Sequence, residues 1–264
     1  MTISIVICTL GTRESLGLAL LSAREQLVAP LEVVLVTPKD AIHAPMLVDV
    51  LPLVDLVATA ARGLPAQRNV GLRVSRGDLV LFIDDDVLLD RGYLDVMRRS
   101  FMSRPELIGA TGKVLNWPRY SVISAAVRRM FLLDYACAKR NHFAWSGFPQ
   151  WGMSGTASDI DFLSGCNMML RRKMLRDELF REDWSGYAEG EDVDFSSRLC
   201  QYGELKAFPD ARLLHLSSPV RDASAGSGVS HLEDIAYAHR RGSAWYSWAF
   251  CGHQIVNAVR RRRV

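Results

Sequence analysis

The chain has 264 residues, 49% of them hydrophobic and 23% charged, which is enough apolar surface for a packed core and excludes a disordered chain. Its formal net charge of +3 is too small to argue for a nucleic-acid partner, and no uncharged apolar run approaches the roughly 20 residues that a membrane span needs. The five cysteines, Cys8, Cys137, Cys166, Cys200 and Cys251, contain no Cys-x-x-Cys pair, which excludes zinc-site spacing and points to free thiols in a reducing compartment.

The opening "MTISIVICTL" has no basic stretch before its apolar run and reads as a first strand, not a signal peptide. The expected location is cytoplasmic. Ile3–Cys8 is a β-branched run, the pattern of a strand buried on both faces. Residues 9–13 break it at Gly11. Leu16, Leu20, Ala23 and Leu27 then fall at helical spacing up to Pro30, and "LEVVLV" at 31–36 is the next strand. This β-loop-α-β opening predicts an α/β fold with a mostly parallel sheet. A short strand is expected within 53–60. A helix is expected over 63–77, with Pro65 near its first turn and Gly77 just beyond its end. A strand follows over 78–83.

Residues 90–104 read as a helix. The stretch 110–160 changes character, with Trp117, Trp145, Trp151 and an amphipathic segment over 121–137. Strand-turn character returns over 161–172. A Gly-rich loop enters a helix over 185–203, and 206–218 holds one or two short strands. The divisions expected are one domain over 1–218, changing character near residue 110, and a helical extension over 219–264.

The chemistry starts at "LVLFIDDDVLLD", residues 79–90. Asp84, Asp85 and Asp86 lie together at the end of an apolar strand, where like charges repel and are poorly solvated. A divalent cation or cationic ligand among them would keep them ionised. A solvated loop or a helix cap would also tolerate them. In open α/β sheets this edge is where ligands bind. A second acidic group is "EGEDVDF", with Glu189, Glu191, Asp192 and Asp194. Acidic residues suit a helix N-terminus through its dipole, and they also suit a general base facing a metal. His215, after an apolar run, is either a satisfied edge histidine or a third metal ligand. "IDDDV" also fits a haloacid-dehalogenase-type phosphatase, with Asp84 as nucleophile and Asp86 as acid. In that family the motif usually lies on the first strand.

Taken in order, four segments resemble family 2 glycosyltransferases of the GT-A fold. "ISIVICTLGTR" (3–13) is similar to the family's first strand and nucleotide loop. "GLPAQRNVGLRVSRGDLVLFIDDDV" (63–87) is similar to its Arg-Asn helix and Asp-x-Asp strand. "FLSGCNMMLRRKML" (162–175) resembles its acceptor-side strand, and "GYAEGEDVDFSSRLCQYG" (186–203) its Glu-Asp motif. The resemblance implies a single GT-A domain over 1–218, with 1–110 binding the nucleotide sugar and 111–218 the acceptor, and an inverting transferase. The donor would be a nucleotide sugar, the acceptor a glycan or lipid-linked hydroxyl, and the ion Mg2+ or Mn2+.

It also implies roles. Thr9, Gly11, Thr37, Arg68, Asp84 and Asp85 would face the nucleotide sugar, Asp85 at the ribose. Asp86 would bind the metal with His215. Asp192 would be the general base with Glu191 beside it. Thr37 stands where the family usually has Asp, and Cys8 and Leu10 where it usually has Pro and Tyr. A non-catalytic sugar-nucleotide binder is a further reading. The end of the chain, with Trp245, Trp248, Phe250, Ile255 and Val256 before Arg260–Arg263, is expected either to pack on the domain or to touch the inner face of a membrane peripherally.

Overall fold

The computed structural model describes residues 1–116, 126, 130–131, 140–144, 146–153, 156–184, 188–216, 235 and 248–251. The expected amphipathic segment at 121–137 and the C-terminal extension fall almost wholly outside these residues, as do Trp117, Trp145 and Gly186.

The strands are β1 (Ile3–Cys8), β2 (Glu32–Pro38), β3 (Leu56–Ala60), β4 (Leu79–Asp84), β5 (Val87–Leu89), β6 (Leu107–Val114), β7 (Arg140–Phe143), β8 (Pro149–Met153), β9 (Ser158–Asp159), β10 (Asn167–Arg171) and β11 (Glu204–His215). The helices are α1 (Leu16–Arg24), α2 (Pro45–Val50), α3 (Leu64–Val74), α4 (Tyr93–Ser103) and α5 (Glu191–Leu199). The main sheet runs β3-β2-β1-β4-β10-β6-β11-β5, with β9 beside β11, and β7 pairs with β8 separately. β1 is parallel to β2 and β4, and β2 to β3. β10 enters antiparallel between β4 and β6, so the sheet is mixed.

Strand alternation divides the core in two. Ile3, Ile5, Ile7, Val33, Leu35, Leu79 and Leu81 point to one face, where they meet Leu16, Leu20 and Ala23 of α1 and Tyr93, Met97 and Phe101 of α4. Val6, Val34, Val36, Val80 and Phe82 point to the other, against Leu72 of α3 and Phe195 and Leu199 of α5. A strand covered on both faces must be apolar at nearly every position, which is why β1, β2 and β4 read as largely apolar runs; the buried Ser4 of β1 donates to Glu32 of β2. Each such apolar side chain contributes about 1.5–3 kcal/mol by burial.

Three boundaries differ from expectation. α1 stops at Arg24, and Leu27 is 70% exposed. Its spacing continued the helical stripe, but no core faces it. The segment after 204 is one long strand, with register shifts against β6. β6 itself, at the centre of the sheet, was hidden by Gly109 and Gly112. At Gly112 a Cβ would lie 2.4 Å from Ala211 O and 2.5 Å from Tyr93 Cε2, so this strand takes glycine for close approach. Among the described residues no helix is long and apolar enough to cross a membrane.

Candidate functional site

β4 delivers Asp84 at its last residue, and the chain turns at Asp85 and Asp86 before β5. The turn separates the three carboxylates. Asp84 and Asp86 go to one side, where their oxygens and a ring nitrogen of His215 all lie within 4.8 Å of one another. Asp85 goes to the other, accepting from Thr9 Oγ1 at 2.5 Å, while its carbonyl accepts from Ser15 Oγ at 3.0 Å.

His215 comes to this place through the sheet. β11 pairs antiparallel with β5, setting His215 opposite Val87, and Leu216 N donates to Asp86 O at 2.7 Å. Asn116 clamps the histidine backbone, accepting from His215 N at 3.0 Å and donating to His215 O at 2.8 Å. His215 Nε2 lies 2.9 Å from Asp86 Oδ1 and 3.8 Å from Asp84 Oδ2. Burial alone would lower the imidazole pKa, but the bond to Asp86 and the charges of Asp86 and Asp84 raise it. Burial pushes Asp85 up to about 6, against the Thr9 bond and the charge of Arg13.

Two carboxylates and one imidazole, close enough to share one ion, are a hard, oxygen-rich donor set that suits Mn2+ or Mg2+. The residues therefore fit a divalent cation.

The second group lies on α5. Gly190 precedes this helix with φ 101°, a left-handed conformation that favours glycine. Glu191, Asp192 and Asp194 fill the first turn. Asp192 Oδ1 accepts from Val193 N at 2.9 Å, and Oδ2 from Gly165 N at 2.7 Å. A Cβ on Gly165 would lie 3.0 Å from Asp192 Oδ2 and from Arg68 Nη2, so glycine is what lets this loop close on the carboxylate. Ser196 Oγ ties the helix to the same loop, donating to Asp192 O and accepting from Leu163 N.

Arg68 joins the two groups. Its side chain is 3% exposed, between the rings of Phe82 and Phe180. The guanidinium donates to Glu191 Oε1 and to Gly165 O, and lies 3.6 Å from Asp84 Oδ1. One buried cation cannot neutralise three carboxylates, so burial raises both neighbours on α5. Glu191 is pushed up to about 8 and Asp192 above its ordinary value, in each case against the pull of Arg68. Glu191 Oε2 is buried without a hydrogen-bond partner among the described residues, which adds to the cost of its charge. Burial opposes the charge on Arg68 too, but Glu191 and Asp84 outweigh it and raise its pKa.

Of the expected site residues, Thr9, Asp84, Asp85, Asp86, Arg68, Glu191, Asp192 and His215 converge on this one sheet edge. Arg68 lies beneath the carboxylates. Gly11 is buried with φ 70°, against Ala44 and Leu47. Thr37 is fully buried and its Oγ1 has no hydrogen-bond partner among the described residues. Arg13 and Asn116 did not stand out in the sequence. Arg13 Nε lies 3.1 Å from Asp85 Oδ1 and its Nη1 2.8 Å from Asp86 Oδ2. The only signal was its place in the first loop, since its partners are 70 residues away.

The pattern described as Glycosyl transferase family 2 matches residues 4–179, two thirds of the chain. The chain belongs to glycosyl transferase family 2. The match spans the first loop, the Asp-Asp-Asp turn and the Gly165 loop, and ends before Glu191, Asp192 and His215. It removes the basis for a phosphatase with Asp84 as nucleophile. No curated protein matches by sequence.

Among solved structures, residues 1–349 of Staphylococcus aureus TarS, in complex with UDP-GlcNAc, are similar at a TM-score of 0.62 and 15% identity, covering 96% of this chain and 72% of that one. Of a longer TarS chain the match covers 44%, at a TM-score of 0.56 and 17% identity. The mannosyltransferase PcManGT from Pyrobaculum calidifontis, in complex with GDP-Man and Mn2+, is similar at 0.58 and 16% identity, covering 97% of this chain and 75% of that one. These likenesses give the family 2 chain its fold, which is GT-A.

Proposed function

We propose that this family 2 chain is an inverting glycosyltransferase that moves a hexose or deoxyhexose from a nucleoside-diphosphate donor to a hydroxyl of a glycan or lipid-linked acceptor. The observation that carries the reading is Arg68, which ties the Asp84–Asp86–His215 group to the Glu191–Asp192 group at one sheet edge. The donors held by the two neighbours, UDP-GlcNAc and GDP-Man, support a nucleotide sugar, and the Mn2+ beside GDP-Man supports a divalent ion.

Asp84, Asp86 and His215 would hold that ion, whose charge offsets the negative charge growing on the leaving diphosphate. Asp85, pinned by Thr9, faces the ribose. The acceptor hydroxyl is a poor nucleophile, and Asp192 takes its proton as it attacks the anomeric carbon from the face opposite the diphosphate. That direction of attack inverts the configuration. Both Asp192 oxygens already accept backbone N–H groups, which fixes the carboxylate while leaving each oxygen a lone pair for the proton. Its raised pKa brings its basicity nearer to what proton abstraction at neutral pH requires. Arg68 and Glu191 position this carboxylate from below. A lipid-linked acceptor would place the reaction in the cytoplasm at the inner face of a membrane.

The test is a panel of nucleotide sugars with Mn2+ or Mg2+, read by thermal shift and by release of nucleoside diphosphate. Binding to the folded state alone stabilises it by mass action, so a donor reports itself without its acceptor. We expect one nucleotide class to raise the melting temperature in the presence of the ion and to be slowly cleaved. A panel in which no donor shifts the transition, with either ion, would sink the reading.

A further inference from the structure

Both oxygens of Asp86 are taken by side chains of this chain. His215 Nε2 lies 2.9 Å from Oδ1, and Arg13 Nη1 donates to Oδ2 at 2.8 Å. The same guanidinium reaches Asp85 Oδ1 at 3.1 Å through Nε. Arg13 thus spans two adjacent carboxylates as a divalent cation would. The three partners differ in how firmly they are held. Asp86 is buried in the turn between β4 and β5, and Asp85 is pinned by Thr9 and Ser15. Arg13 is 41% exposed, in the loop between β1 and α1, and is the one able to leave.

We propose, resting on the donor and metal reading above, that Arg13 competes with the divalent cation for Asp86 and yields when a diphosphate offers its guanidinium another anion. Two cations on one carboxylate weaken each other's hold, so an ion bound at Asp86 Oδ1, beside Asp84 and His215, loosens Arg13 from Oδ2. A displaced guanidinium beside three carboxylates needs a new anionic partner, and guanidinium binds phosphate oxygens well. The donor's diphosphate is the one anion the proposed reaction brings there. Arg13 therefore couples the two ligands. The ion alone binds weakly, the ion with a nucleoside diphosphate binds tightly, and the coupling is reciprocal.

The test compares wild type with Arg13→Gln, measuring free Mn2+ by electron paramagnetic resonance with no nucleotide and with saturating UDP, GDP, dTDP or CDP. We expect Arg13→Gln to bind Mn2+ alone several-fold more tightly than wild type. The strengthening of Mn2+ binding by the best nucleotide should shrink by a similar factor. A second readout is the melting temperature, which Mn2+ alone should raise more in Arg13→Gln than in wild type, because there the carboxylates have lost their own counter-charge. Arg13→Lys, which keeps the charge but not the two-pronged reach, should fall between. Mn2+ affinity that is unchanged or weaker in Arg13→Gln overturns the inference while leaving the donor and metal reading standing. A wild type that binds no Mn2+ even with every nucleotide overturns both.

Discussion

The two acidic groups of this site use the same residue types in opposite surroundings. At 84–86 the carboxylates stand on a turn and are met by side chains that the ends of other strands and loops supply, the His215 imidazole from β11 and the Arg13 guanidinium from the first loop. At 191–192 they open a helix, deep in the fold, and share one buried guanidinium. The first arrangement gathers carboxylate oxygens and a ring nitrogen within reach of one ion and suits a hard cation. The second raises pKa and suits a proton. Composition does not separate the two groups. What divides their work is the partner each meets, an imidazole and a part-exposed guanidinium at the turn and a single buried guanidinium at the helix start.

Three substitutions test that division. The largest effect is expected at the proton side. Asp192→Asn should lower turnover by ~10²–10⁴-fold, the usual worth of a general base, with donor affinity retained in a thermal-shift titration. In the wild type, kcat/KM should fall as pH drops through a value above the ordinary carboxylate range, since the base must be deprotonated and its pKa is raised. Wild-type turnover in Asp192→Asn would move the base elsewhere and erase the contrast.

A middling effect is expected at the cation side. Asp86→Ala should abolish the dependence of nucleotide affinity on Mn2+, about ten- to a hundred-fold by analogy with losses at metal-supporting residues. Titration curves that still separate with and without chelator would show that the ion is held by other groups.

The smallest effect concerns stability. Glu191, pushed from 4.5 to about 8, binds a proton more readily in the folded chain than in the unfolded one. Its contribution to stability is therefore complete below 4.5 and is lost as pH rises through 8. Glu191→Gln should flatten this part of the pH profile, so that the melting temperatures of variant and wild type diverge between pH 5 and pH 9. Parallel profiles would mean that Arg68 holds Glu191 ionised throughout, and the two acidic groups would then be alike.

Much of the fold was legible in order along the chain. β1, β2 and β4 announced themselves because both of their faces are buried, and α3 because Pro65 and Gly77 bracket it. β6 was not legible. Gly112 answers to Tyr93 and Ala211, from α4 and β11, and Gly109 to Leu163, Leu170 and Leu205, and a local pattern carries no trace of such partners. Leu27 erred the other way, keeping the helical spacing after the helix had ended.

The sequence by itself determined the two carboxylate groups, the strand end that carries one and the helix start that carries the other, since these follow from local periodicity and capping. Only the tertiary structure decided the counter-charges. His215 reaches Asp86 because β11 pairs with β5, Arg13 because the first loop folds over the turn, and Arg68 joins Asp84 to Glu191 because α3 packs beneath both. Each of these contacts joins distant parts of the chain. Their energy depends on distance and burial, which are set by packing and not by spacing along the chain.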